Sequence, residues 1–150
     1  LGTDVGGGTS LSLLRTASDA YKVLHLQEHA LPAMRALYLA TLGAAEALDL
    51  DAHIGNFAAG KEADFVVLDY EGSALTARRT AAAGTIEEKL FALMTLADDR
   101  NVAATYVLGR LSTYKVFILS ASLFVRSPAP IVTVVGTIGE RLVEPDVGQD

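Results

Sequence analysis

The chain has 150 residues, 51% of them hydrophobic, which is enough to bury one ordinary domain core and sets aside disorder as the default reading. Its formal charge of −6 excludes a protein that tracks a nucleic-acid backbone, since that needs a basic face to displace counterions, and leaves a neutral small molecule as the easier partner. The absence of cysteine removes disulfides and thiolate metal sites, agrees with a cytoplasmic protein, and leaves histidines and carboxylates as the only metal ligands to hand.

The first residue is Leu1, with no charged or apolar signal segment ahead of Gly2-Thr3-Asp4, and the natural start is expected upstream. Residues 1–4 read as the end of a buried strand. Gly6-Gly7-Gly8 then allows a sharp turn before Thr9 or Ser10 caps a helix. In that helix Leu14, Ala17, Tyr21 and Leu24 repeat at three and four residues, Leu13 and Ala20 widen the stripe, and Arg15, Asp19 and Lys22 face elsewhere. Pro32 suits the first position of a second helix that carries Met34, Leu37 and Tyr38 inward, and Thr41 caps a short third helix through Leu48.

Helices then give way to strands. Residues 54–61 have the turn glycines of a hairpin, and residues 63–69 form an apolar run of strand length. After a loose stretch, Thr85-x-x-Glu88 is a capping box that opens a helix with Ile86, Leu90, Leu93, Met94 and Ala97 on one face. Residues 98–101 form a polar turn, and residues 102–108 another strand closed by Gly109-Arg110. Lys115 and Arg126 bracket an apolar run about half as long as the roughly 20 residues that span a bilayer, so it reads as a core strand or helix and no membrane is expected. The acidic last residues, 144–150, read as frayed.

Asp4 is the candidate for chemistry, because a carboxylate at the C-terminal end of a parallel barrel strand points into the mouth where such barrels react. The string Gly2-Thr3-Asp4-Val5-Gly6-Gly7-Gly8-Thr9-Ser10, followed by Ala20-Tyr21-Lys22-Val23, closely resembles guanine deaminases of the amidohydrolase superfamily at their eighth barrel strand and following helix. The resemblance continues through Tyr38-Leu39-Ala40-Thr41-Leu42-Gly43, Ile54-Gly55-Asn56-Phe57, Gly60-Lys61-Glu62-Ala63-Asp64 and Leu90-Phe91-Ala92-Leu93-Met94-Thr95-Leu96 to about Arg110. Two departures lie away from the chemistry: Asp49 stands where the family favours glycine at a left-handed helix end, and Ala59 where it favours proline. From about Leu111 the match ends.

What the resemblance implies is an α/β fold: the last strand and C-terminal helices of a (β/α)8 barrel that 150 residues cannot close, plus part of a small β-sandwich. It divides the chain into residues 1–50 with the last strand and post-barrel helices, 51–115 with the sandwich portion and an inserted helix, and an unmatched tail at 116–150. The implied reaction is hydrolytic deamination of guanine to xanthine and ammonia, a step of purine catabolism, with zinc activating a water. Asp4 matches the family aspartate that contacts the metal and serves as base, the other ligands and the purine-recognising residues being expected upstream. A homodimer is the implied assembly.

Other readings compete. His25-Leu26-Gln27-Glu28-His29 fits an H-x-x-E-H metal motif, although Pro32 close behind points to a fraying helix end, and His53 reads as a loop residue. Asp4 could instead tie its carboxylate to the Gly6 or Gly7 amides, and the glycines could serve only a turn with positive backbone angles. The opening run is also similar to the phosphate hairpin of actin-like ATPases and sugar kinases, which needs a second strand after the glycines; a Walker-type loop would need a lysine between Gly8 and Thr9. A non-catalytic folded remnant is the third reading. Alone, residues 1–150 are expected to hold no stoichiometric zinc, to turn over no guanine, and to self-associate through the unpaired edge of the first strand.

Overall fold

The computed structural model describes residues 1–4 and 6–112, together with the strand backbone of 122–126 and 133–134. The elements run α1 (Leu13–Leu26), α2 (Ala33–Ala40), α3 (Leu42–Glu46), β1 (Phe65–Asp69), α4 (Ala74–Ala81), α5 (Ile86–Leu96), β2 (Val102–Val107), β3 (Arg110–Leu111), β4 (Ser122–Arg126) and β5 (Thr133–Val134). They make an α/β arrangement in which one sheet face carries the helices.

Helix α1 follows its apolar repeat, burying Leu13, Leu14 and Ala17. It starts later than expected, after Ser12, because the two expected caps are engaged elsewhere: the Ser10 hydroxyl accepts the Ser12 amide at 3.0 Å, and the Thr9 hydroxyl donates to Asp19. Its end is fixed by the Glu28 amide on the His25 carbonyl and the His29 amide on the Leu24 carbonyl, with Glu28 at φ 61. That bond pair is a Schellman closure, which reverses the chain through one left-handed residue. Residues 42–50 end the same way, with Asp49 at φ 56 and the Leu50 amide on the Ala45 carbonyl at 2.9 Å.

Helix α2 is capped by Pro32 but turns a different face inward from the one expected. Ala33, Ala36, Leu37 and Ala40 are buried, whereas Met34 is 41% exposed and Tyr38 reaches outward to Glu46, under the Arg35 guanidinium. Alanines allow close helix approach, so the small side of the helix meets the core and its bulky side lies outside. Thr41 caps nothing with its side chain; its hydroxyl donates back to the Leu37 carbonyl at 2.7 Å, and α3 stops at Glu46.

Residues 54–61 form turns and no strand pair. The segment is held by the Glu62 amide on the His53 carbonyl, the Lys61 ammonium on the Ile54 carbonyl, and an Asn56 side chain that accepts the Ala58 amide. The stretch read as loose contains α4, opened by a Ser73–Thr76 capping box. Helix α5 begins at the expected Thr85–Glu88 box.

The sheet order is β3-β2-β1-β4-β5. Strand β1 pairs antiparallel with β2, Phe65 opposite Tyr106, and parallel with β4 in the register Val66 to Leu123. Of the tail, 122–126 and 133–134 are therefore strand; the reading of 144–150 as frayed lies outside the described residues. Residues 1–4, expected as the end of a strand, pair with no neighbouring strand among the described residues.

Alternation along β1 sends Val66 and Leu68 into a core shared with Leu14, Leu37, Leu90 and Leu93. Each such side chain contributes roughly 1.5–3 kcal/mol through burial. The other face stacks Phe65 on Tyr106 at 4.3 Å, with Phe57 beside them. Asn101, fully buried, donates to the Asp69 carbonyl at 2.8 Å and the Thr76 hydroxyl at 3.0 Å, joining the end of β1 to α4 and to the turn before β2. Among the described residues no helix is long and apolar enough to cross a membrane.

Candidate active site

Asp4 sits where the first residues turn back on themselves. The Leu1 nitrogen donates to the Leu39 carbonyl at 2.5 Å, which fastens this segment to α2, and Thr3 is buried. Asp4 itself is exposed and adopts φ 48, a left-handed conformation that aspartate accepts more readily than most residues. Its backbone carbonyl, not its carboxylate, closes the turn, accepting the Gly7 amide at 3.0 Å and the Gly8 amide at 2.6 Å. No hydrogen bond to the carboxylate is found among the described residues, so the turn leaves that group unspent.

The glycines serve space more than backbone angle. Only Gly6 of the three has a positive φ, at 109. A Cβ at Gly7 would lie 2.7 Å from Oδ2 of Asp4, and one at Gly8 would overlap the Thr3 carbonyl oxygen. The missing side chains let the loop fold back over Thr3 and give the Asp4 carboxylate its place above Gly7.

The loop is tied to α1 beyond the glycines. The Thr9 hydroxyl donates to Oδ2 of Asp19 at 2.6 Å, and the Lys22 ammonium holds Oδ1 of the same carboxylate at 3.1 Å. The Thr9 hydrogen bond, and after it Lys22, keeps the Asp19 carboxyl below the usual carboxylate range. Sequence reading placed Asp19 only on the polar side of α1. A threonine and an acid ten residues apart give no local signal that they will meet.

The three histidines do not converge on Asp4. His25 stacks on Tyr21 at 5.7 Å, and His53 holds the turn before β1 through its backbone. His25 and His29 share no helix face, because the left-handed Glu28 ends α1 between them, which removes the spacing that the H-x-x-E-H reading needs. The described residues contain no group of three or more His, Cys, Asp or Glu that could hold a metal ion. Two further acids are engaged in caps: Glu88 caps α5, while Asp98 caps the turn before β2 and binds Arg100. An apolar gap of about 10 Å³ between Leu14, Leu37, Leu68, Leu90 and Met94 admits no more than one water-sized sphere, far too little for a purine.

Residues 1–112 match the sequence profile of the Amidohydrolase family. The chain belongs to the amidohydrolase family. It is 51% identical over 111 residues to guanine deaminase of Escherichia coli strain K12, a match covering 74% of this chain and 25% of that protein. It is 36% identical over 119 residues to human guanine deaminase, with 73% of this chain and 26% of that protein covered. Among solved structures it superposes on E. coli guanine deaminase with a TM-score of 0.72 at 51% identity, over 74% of this chain and 26% of that one. It superposes on guanine deaminase from Bradyrhizobium japonicum with a TM-score of 0.65 at 35% identity, over 75% and 30%. This amidohydrolase chain thus spans about a quarter of the length of the curated relatives it matches. Family membership overturns the actin-like kinase reading, as does the local structure: that reading needs a second strand after the glycines, and α1 follows instead.

Proposed function

We propose that this chain is the C-terminal part of a hydrolase that converts guanine and water to xanthine and ammonia, with Asp4 as a carboxylate of its active site. The observation that supports the reading best is the unspent Asp4 carboxylate, exposed above a glycine loop, in a chain that over 111 residues is 51% identical to a protein named guanine deaminase. On this reading residues 1–50 supply the last strand and following helices of a (β/α)8 barrel, 51–115 a portion of a small sandwich with an inserted helix, and 116–150 a tail without a recognised family match. The complete enzyme is cytoplasmic and homodimeric, and binds no nucleic acid.

Asp4 has the chemistry for one task. Water oxygen bonds to the ring carbon that carries the amino group, that carbon–nitrogen bond breaks, and ammonia leaves. A carboxylate within hydrogen-bond reach of the water accepts its proton and passes it to the departing nitrogen. Placement by backbone bonds, with both carboxylate oxygens left open, suits that shuttle.

Zinc belongs to the proposal only for the complete enzyme. A zinc site takes three or four protein ligands. Asp4 is a single oxygen donor, and no histidine or acid of the described residues joins it. The described residues therefore do not fit a zinc centre by themselves, and the reading assigns the other ligands to protein outside them.

The test is a xanthine assay on the purified complete enzyme that carries this chain, with adenine as control. Xanthine and ammonia from guanine are expected. A folded, metal-loaded enzyme that releases neither would overturn the reading.

A further inference from the structure

We infer that Asp19 is a positioning residue for Asp4, acting through the hydroxyl of Thr9; this rests on the reading of Asp4 as the proton-shuttling carboxylate. The connection is short and continuous. Asp19 lies on the rigid second turn of α1 and accepts the Thr9 hydroxyl at 2.6 Å. Thr9 follows Gly8, and the Gly8 and Gly7 amides both bind the Asp4 carbonyl. Thr9 is thus the tether of a loop whose other end is Asp4.

Such a tether matters because, among the described residues, the two amide bonds on the Asp4 carbonyl are otherwise all that hold the glycines. Gly6, Gly7 and Gly8 have no side chains to pack, and glycine loses more conformational freedom on ordering than any other residue. Asp19 is well prepared to act as the anchor. Lys22 holds one of its oxygens at 3.1 Å, so the other is presented to Thr9 without a search among rotamers. Releasing the loop would let Asp4 leave its left-handed conformation and swing its carboxylate off Gly7, a displacement of the size that degrades turnover more than binding.

The experiment compares Thr9→Val and Asp19→Ala, which remove donor and acceptor, with Thr9→Ser, which keeps the donor. In the complete enzyme, Thr9→Val and Asp19→Ala are expected to lower kcat by roughly 3- to 30-fold with KM within about twofold, while Thr9→Ser stays within about twofold of the wild type in both. Loss of kcat in neither Thr9→Val nor Asp19→Ala, or equal loss in all three variants, overturns the inference. A second measurement holds even if the enzyme proves not to act on guanine. In residues 1–150, amide hydrogen exchange at Gly7 and Gly8 should quicken by about fivefold or more in Thr9→Val and Asp19→Ala, while Val66 and Leu68 in β1 exchange as before. Unchanged exchange at the glycines also overturns it. Absence of xanthine from the wild type would count against the deaminase reading, and the glycine exchange would still decide the role of Asp19.

Discussion

The carboxylate of Asp64 accepts the backbone amide of Leu108 at 2.6 Å, across 44 residues of sequence. Asp64 is buried at the entry to β1, and Leu108 is the first residue of the two-residue turn that joins β2 to β3. Leu108 at φ 51 and Gly109 at φ 75 make that turn type I′, and the Gly109 amide binds the Ala63 carbonyl at 2.8 Å. The last residue of the Gly-Lys-x-Ala-Asp element therefore fixes the edge of the sheet.

Replacing Asp64 by alanine should cost about 1–3 kcal/mol, the usual penalty for stranding a partly buried donor. Urea unfolding of the chain would measure it. Leu108→Asn should act in the opposite direction by about 1 kcal/mol, since asparagine tolerates the left-handed region that leucine resists.

The two Schellman closures are built on residues poorly suited to them. Asp49→Gly and Glu28→Gly should each raise stability by about 0.5–1 kcal/mol, by relieving a positive φ of 56 and 61 respectively. Thermal unfolding of each variant and of the pair would check this. The two sites lie in separate helix ends, so the gains should add.

What the sequence made legible was mainly periodicity and capping. The α5 box at Thr85 and Glu88 and the strand at 65–69 could be read from it, because each depends on neighbours within a few residues, while the left-handed position of Asp49 came from the family resemblance. What escaped depends on partners far away. The inward face of α2 is chosen by how closely its alanines approach α5. Helix α4 is the exception: its Ser73–Thr76 box is local, but threonine stands where such a box usually carries Glu or Gln, and Asn101 adds its bond to Thr76 from far along the chain. Asp4 was found by resemblance, while the use of its carbonyl to close the turn, and the link from Thr9 to Asp19, required coordinates.

Acid should weaken the start of α5. The Gly84 amide, and after it that of Thr85, holds the Glu88 carboxyl below the usual carboxylate range. A carboxyl depressed in the folded state contributes stability that is present above its unfolded pKa and is lost as pH falls through its folded one. The difference in melting temperature between the chain and its Glu88→Gln variant should therefore be largest near neutral pH and close below the usual carboxylate range. A difference that stays constant from pH 7 to pH 3 would contradict this cap.

Purified residues 1–150 should bind no stoichiometric zinc and form no xanthine, because Asp4 stands without convergent ligands among the described residues. Metal analysis after dialysis against zinc would show it. One tightly held zinc per chain would mean that residues outside those described complete a site.

Asp4 is proposed to perform proton transfer in the complete enzyme. Asp4→Asn keeps the side chain's size and its place above Gly7 but removes the group that accepts a proton. The most direct measurement is kcat for xanthine formation from guanine by the complete enzyme and its Asp4→Asn variant, each at full metal occupancy. The account predicts a loss of roughly 10²-fold or more, with the fold and melting temperature retained. A variant that turns guanine over at the wild-type rate would contradict it.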